Sequence, residues 1–189
     1  MGLKVKYNSP VILSFTLISF VVLMVSAYIK DLTPYLALPG NFDWVSIDYF
    51  RLLSYTCVHS FTDFKMQTDF THFISNFMLI LLIGPVLEEK FGSKDLLLMI
   101  IFTAVVTGLL NAIFNNSGII GASGVALMMV ILGSFTNYTK GELPLTFVIV
   151  SLFFLGNEIA SAVNEDHISH FAHVLGGSAG AVFGFGYKK

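Results

Sequence analysis

The chain has 189 residues, 55% of them hydrophobic and 12% charged, with a formal net charge of −2 and a mean hydropathy of +0.79. A soluble domain of this length cannot cover its surface with so few charges, and long apolar runs recur throughout, so the composition reads as a multi-pass membrane protein. No basic patch points to nucleic acid, and the lone Cys57 excludes an internal disulfide and a cysteine metal cluster.

Six apolar segments can be marked in chain order, at about 10–29, 72–87, 96–114, 121–135, 143–159 and 169–187, with ends good to a few residues. Each approaches the roughly 20 residues that a helix needs to cross the hydrocarbon, and the shorter ones imply tilt or a thinned bilayer. The expected fold is all-α: one membrane domain over 1–189, a bundle of six transmembrane helices with a large loop at 30–71. The first segment follows Lys4 and Lys6 and ends near Val25-Ser26-Ala27, which loosely resembles a signal-peptide cleavage site. Its apolar run is longer than a usual signal core, which favours a retained helix.

Six crossings put both termini on one side. Placing them in the cytoplasm collects Lys4, Lys6, Lys90, Lys94, Lys140, Lys188 and Lys189 inside and leaves Lys30, Arg51 and Lys65 outside. That split obeys the positive-inside rule. The 30–71 loop is then external, and the second, fourth and sixth segments each start at the outer face of a cell membrane.

Those three segments carry their polar residues to one depth. His72 and Asn76 open the second, Ser123 opens the fourth within GASG, and His173 lies a few residues into the sixth. At 1.5 Å per residue all four fall within about 10 Å of the outer interface. A serine hydroxyl needs an adjacent base to become a nucleophile, and histidine is the usual one. Acyl transfer also needs donors for the developing oxyanion. His72 and Asn76 are one helical turn apart on a shared face, so both can donate to one oxygen together with the Ser123 N–H. Glycines at 121 and 124 allow close approach.

Each feature alone has a plainer reading. GASG and the glycines at 176, 180 and 184 are spacings found where membrane helices pack tightly. His167, His170 and His173 recur every third residue, but on a helix the first and last point some 120° apart, which argues against a shared metal. His59 either holds the loop at the site or is a structural histidine. Asn111 reads as a helix-to-helix hydrogen bond, and Glu158 beside Asn157 as an interfacial charge. No cofactor motif is present.

Together, HFISN at 72–76, GASG at 121–124, AHVLGGSAG at 172–180, the Arg51 loop and the turn GPVLEEKFGSK resemble the rhomboid family of intramembrane serine proteases, in its minimal six-helix form. The resemblance implies Ser123 as nucleophile and His173 as general base, a dyad without an acidic third member, so Asp166 is given no role. It implies an oxyanion hole of His72, Asn76 and the Ser123 N–H. It also implies transmembrane-helix substrates that enter sideways past the fifth segment, where Phe153 and Phe154 can act as gate plugs. No cofactor, metal or nucleic acid is implied. Two positions depart from the family pattern: Phe50 stands before Arg51 where tryptophan is usual, and Leu127 stands where many bacterial members carry a tyrosine against the catalytic histidine. The alternatives are an inactive rhomboid-like protein that binds membrane helices, and an ion-coupled carrier using His173 and Glu158. The carrier predicts two related halves with broken helices, which the sequence lacks.

Overall fold

The computed structural model describes residues 7–43, 47–59, 61–62, 67–68, 70–114, 118–136, 142–163 and 170–186. Each of the six apolar segments forms a helix: α1 (Pro10–Tyr28), α4 (Phe70–Phe91), α5 (Ser93–Phe114), α6 (Ser123–Gly133), α7 (Leu145–Val163) and α8 (His170–Gly186). Between α1 and α4 the loop folds into two short helices, α2 (Thr33–Leu36) and α3 (Ile47–Ser54), and a 3-10 turn at Tyr55–Cys57. A two-residue hairpin pairs β1 (Phe61–Thr62) with β2 (Gln67–Thr68). Helices α1, α4 and α5 are long and apolar enough to cross a membrane, whereas α6 is apolar but only 11 residues long. The chain is a helical membrane protein.

The fourth segment is shorter than its apolar run for a local reason. Gly121 has φ +96, a left-handed conformation that only glycine adopts without strain, so the helix cannot begin until Ser123. The second segment is longer than expected and runs through Pro85. It ends at Gly92, whose φ of +86 gives a left-handed stop, with the Gly92 N–H donating to the Glu88 carbonyl at 2.9 Å.

Helix α6 is the axis of the bundle. Met128, Met129 and Leu132 on it are wholly buried, packed with Phe77, Ile80 and Leu87 of α4 and Leu96 of α5. Its closest neighbour is α8. A Cβ on Gly176 would overlap the Gly124 carbonyl oxygen, one on Gly180 would lie 2.5 Å from the Met128 oxygen, and one on Gly184 would run into the Phe135 ring. Glycine spacing therefore permits backbone-to-backbone contact, the usual solution where lipid supplies no hydrophobic drive between helices.

Charged side chains close the helix ends away from the site. Glu88 accepts the Val11 and Ile12 N–H groups at 3.0 and 3.1 Å and the Ser93 hydroxyl at 2.6 Å. It thus satisfies two orphan amides at the start of α1 and places its charge on the positive end of that helix. Lys90 donates to the Phe135 and Thr136 carbonyls at 2.7 and 2.6 Å, just past the end of α6.

Candidate functional site

The serine turn is built by the 30–71 loop. Leu38 and Ile119 exchange both backbone hydrogen bonds, at 3.1 and 3.0 Å. The Gly121 N–H donates to the Tyr55 carbonyl at 2.9 Å, and the Ala122 N–H donates to Nε2 of His59 at 3.4 Å. Tyr55 is itself fixed: it is buried and its hydroxyl donates to the Ala104 carbonyl of α5 at 3.2 Å. Burial raises the Tyr55 phenol well above its ordinary pKa, outweighing a hydrogen bond with Thr107, so it stays protonated as a donor. Gly108 leaves room for this on α5, since a Cβ there would lie 3.0 Å from Leu52 and 3.5 Å from Tyr55. Further out, Arg51 donates to the Tyr35 and Pro34 carbonyls and pairs with Asp48 at 2.9 Å, tying α2 to α3. Phe50 beside it is exposed.

With the Gly121 and Ala122 amides occupied, the first free amides of the turn are those of α6 itself. Ser123 is the first residue of that helix, and helix geometry leaves the leading N–H groups without intrahelical acceptors. The positive end of the α6 dipole therefore lies beside the serine, ready for negative charge.

His72 and Asn76 reach this turn from α4. A Cβ on Gly121 would meet Cε1 and Nε2 of His72 at 2.7 and 3.0 Å and Nδ2 of Asn76 at 3.7 Å. The spacing of one helical turn thus brings both donors to one glycine. Asn76 is 6% exposed, and its Nδ2 is buried with no acceptor among the described residues. A buried amide donor left unpaired costs about 1–3 kcal/mol and calls for an explanation.

His173 lies in the first turn of α8 and is half-buried, as is Ser123. Their immediate neighbours touch: a Cβ on Gly124 would lie 3.2 Å from the Ala172 carbonyl oxygen. The seam between α6 and α8 thus carries the serine and the histidine at adjoining positions. Leu127, one turn after Ser123, is half-buried. Phe153 on α7 is 77% exposed. The Phe154, Asn157 and Glu158 side chains and residues Asp166 and His167 lie outside the described residues. Asn111 is fully buried on α5. Among the described residues no three His, Cys, Asp or Glu side chains gather as a metal site would require.

Sequence reasoning named the four polar groups on helices but missed what holds them. Nothing in the sequence singles out Tyr55, and the sequence alone allows His59 either of two roles. The structure buries His59 at 2% exposure against His72, with ring centres 5.2 Å apart. No local pattern signals this, because its partners Ala122 and His72 come from other parts of the chain.

A family model described as Rhomboid domain matches residues 48–189. Over 129 residues the chain is 28% identical to "RHOMBOID-like protein 1" of Arabidopsis thaliana, a region that covers 66% of this chain and 33% of that protein. The chain therefore aligns with about a third of the length of the curated relative it matches.

Proposed function

This chain belongs to the rhomboid family, and we propose that it is an intramembrane serine endopeptidase that cleaves the transmembrane segments of other proteins. The observation that carries the proposal is the Asn76 amide, buried without an acceptor and held with His72 against Gly121, two residues before a serine that opens a helix. Two side-chain donors and a helix N-terminus converging on one spot form a site for an oxygen that is not yet charged.

In this reading α1, α4, α5, α6, α7 and α8 all cross the membrane, the 11-residue α6 within a shell of longer helices, and both termini lie in the cytoplasm. The Glu88 and Lys90 end is then internal, and the serine turn opens to the outer face. Water reaches the serine from that side, since irregular backbone at membrane depth is tolerated where it lines a cavity. The His173 imidazole takes the Ser123 hydroxyl proton as Oγ attacks the scissile carbonyl carbon. The carbonyl π bond opens onto its oxygen, which His72, Asn76 and the Ser123 N–H hold. Collapse of that tetrahedral adduct breaks the C–N bond, and His173 returns the proton to the departing amine. Water then hydrolyses the acyl-serine by the same steps. No cofactor or metal takes part.

A substrate helix must unwind before its carbonyl can be attacked, so segments with helix-breaking or small residues near the cut are the expected targets. Entry past α7 is supported by how that helix is held. Its cytoplasmic start is anchored, with the Phe147 ring tilted against Phe135 and edge-on to Phe185, centres 4.9 and 5.5 Å apart, and Thr146 donating to the Ser134 carbonyl. Leu152 and Phe153 further along it are exposed.

The proposal is tested by cleavage of a transmembrane model substrate in liposomes. Wild-type protein should cut, Ser123→Ala and His173→Ala should not, and Asn76→Ala should lose about 10²- to 10³-fold while remaining measurable. Uncut substrate that still associates with the wild-type protein would support the inactive, helix-binding reading instead.

A further inference from the structure

One imidazole at the site has no part in the steps above. His59 belongs to the 30–71 loop, yet its ring is as deeply buried as the helix core. It meets the Phe73 and Phe77 rings of α4 edge-on, with centres 5.3 Å away in each case, and tilts against the His72 ring at 5.2 Å. Both of its nitrogens are engaged. Nε2 accepts the Ala122 N–H at 3.4 Å, which places the ring proton on Nδ1, 3.4 Å from the Cys57 carbonyl. Ala122 is the residue before Ser123 and caps α6. A single side chain therefore touches the amide beside the serine and the ring that lines Gly121.

We propose that His59 is a positioning residue for the acyl transfer, setting the separation of the Ser123 turn from the oxyanion donors through its hydrogen bond to Ala122 and its contact with His72. This rests on the protease reading. The chemistry of the ring separates the role from simple filling. A phenyl group would occupy the same volume but leave the Ala122 N–H buried and unpaired. A protonated imidazole would turn a donor toward that N–H and a positive charge toward His72. The role thus requires the neutral ring. Burial first and His72 second push the His59 pKa down to about 4, against a smaller opposing effect of the Cys57 carbonyl. Among the described residues, His72 is the titratable side chain acting on it from α4, while Phe73, Phe77 and Ala122 carry no charge.

The test compares wild type, His59→Phe and His59→Gln in liposomes with one model substrate, each shown to be folded by a cooperative melt at neutral pH. His59→Phe is expected to lower kcat by about 10- to 100-fold with little change in KM, the signature of misplaced reacting groups. His59→Gln keeps an oxygen that can accept the Ala122 N–H and should recover a large part of that loss. Wild-type kcat in His59→Phe, or equal loss in both variants, overturns the proposal. Should His59→Phe fail to fold, His59→Gln decides alone. Activity within about tenfold of wild type at unchanged KM supports the role, and a fall to the Ser123→Ala level refutes it. Turnover by wild type with an indifferent His59→Phe removes this role alone, whereas an inert wild type removes the protease reading as well.

Discussion

Gly121 and His72 stand so close that no side chain fits between them: a Cβ on Gly121 would lie 2.7 Å from Cε1 of the imidazole. The same glycine holds φ +96 and donates its N–H to Tyr55. Backbone conformation, hydrogen bonding and close approach to a side chain all depend on one missing methyl group. Gly121→Ala should therefore strain the turn and displace His72 together. The expected outcome is loss of most cleavage activity, by 10²-fold or about that order, in protein whose melting point falls only modestly. Side-by-side turnover and melting measurements check it. Full activity in Gly121→Ala would mean that His72 need not lie against this turn.

At the opposite end of the bundle, Glu88 should act on stability rather than chemistry. It is buried and accepts two helix amides and a hydroxyl. Glu88→Ala leaves all three without that acceptor, a destabilisation on the order of 3 kcal/mol. Glu88→Gln retains one accepting oxygen and should cost less. Thermal melts in detergent micelles read both. If Glu88→Ala melts with wild type, the carboxylate does not tether α1 to α4 and α5.

Stability should also depend on pH through His59. An unfolded histidine takes up a proton below about pH 6.5. The folded chain resists protonation of His59 until about pH 4, because burial and His72 oppose the charge. The unfolded state thus binds more protons between those values. This contribution to stability is complete above about pH 6.5 and is lost as the pH falls to about 4, by about 3 kcal/mol at most. Melting points taken from pH 7.5 to 4 should fall, and His59→Phe should show a shallower slope. Parallel slopes would place the acid sensitivity elsewhere.

If α7 is the side door, trimming its exposed aromatic should matter only to a substrate that enters through lipid. Phe153→Ala is expected to raise kcat/KM for a transmembrane substrate several-fold. It should leave the rate of labelling by a small water-soluble serine reagent unchanged. A rise in both rates, or in neither, would contradict lateral entry past this residue.

The helices and the four polar groups were legible in the sequence because they obey local rules. His72 and Asn76 sit one turn apart, Ser123 sits between glycines, and apolar runs mark the spans. What the sequence did not reveal depends on contacts across long separations. Glu88 reaches back to residues 11 and 12, and Lys90 forward to residues 135 and 136. The 30–71 loop shows no helical period because α2 and α3 are so short, and the α2 carbonyls of Pro34 and Tyr35 are satisfied by Arg51, 16 or 17 residues away. The apolar run begins at Gly121, two residues before α6, since such a run gives no sign that Gly121 has turned left-handed. His59 kept two readings because its partners, Ala122 and His72, come from separate parts of the chain.

The central claim is that Ser123 is an activated nucleophile. Purified wild-type protein, Ser123→Ala and His173→Ala, each folded in detergent micelles, would be incubated with a fluorophosphonate and weighed intact. The account predicts one covalent adduct on the wild type and none on either variant. An unmodified wild type, or an adduct that survives in Ser123→Ala, would contradict it and leave Ser123 as one more small residue between packed helices.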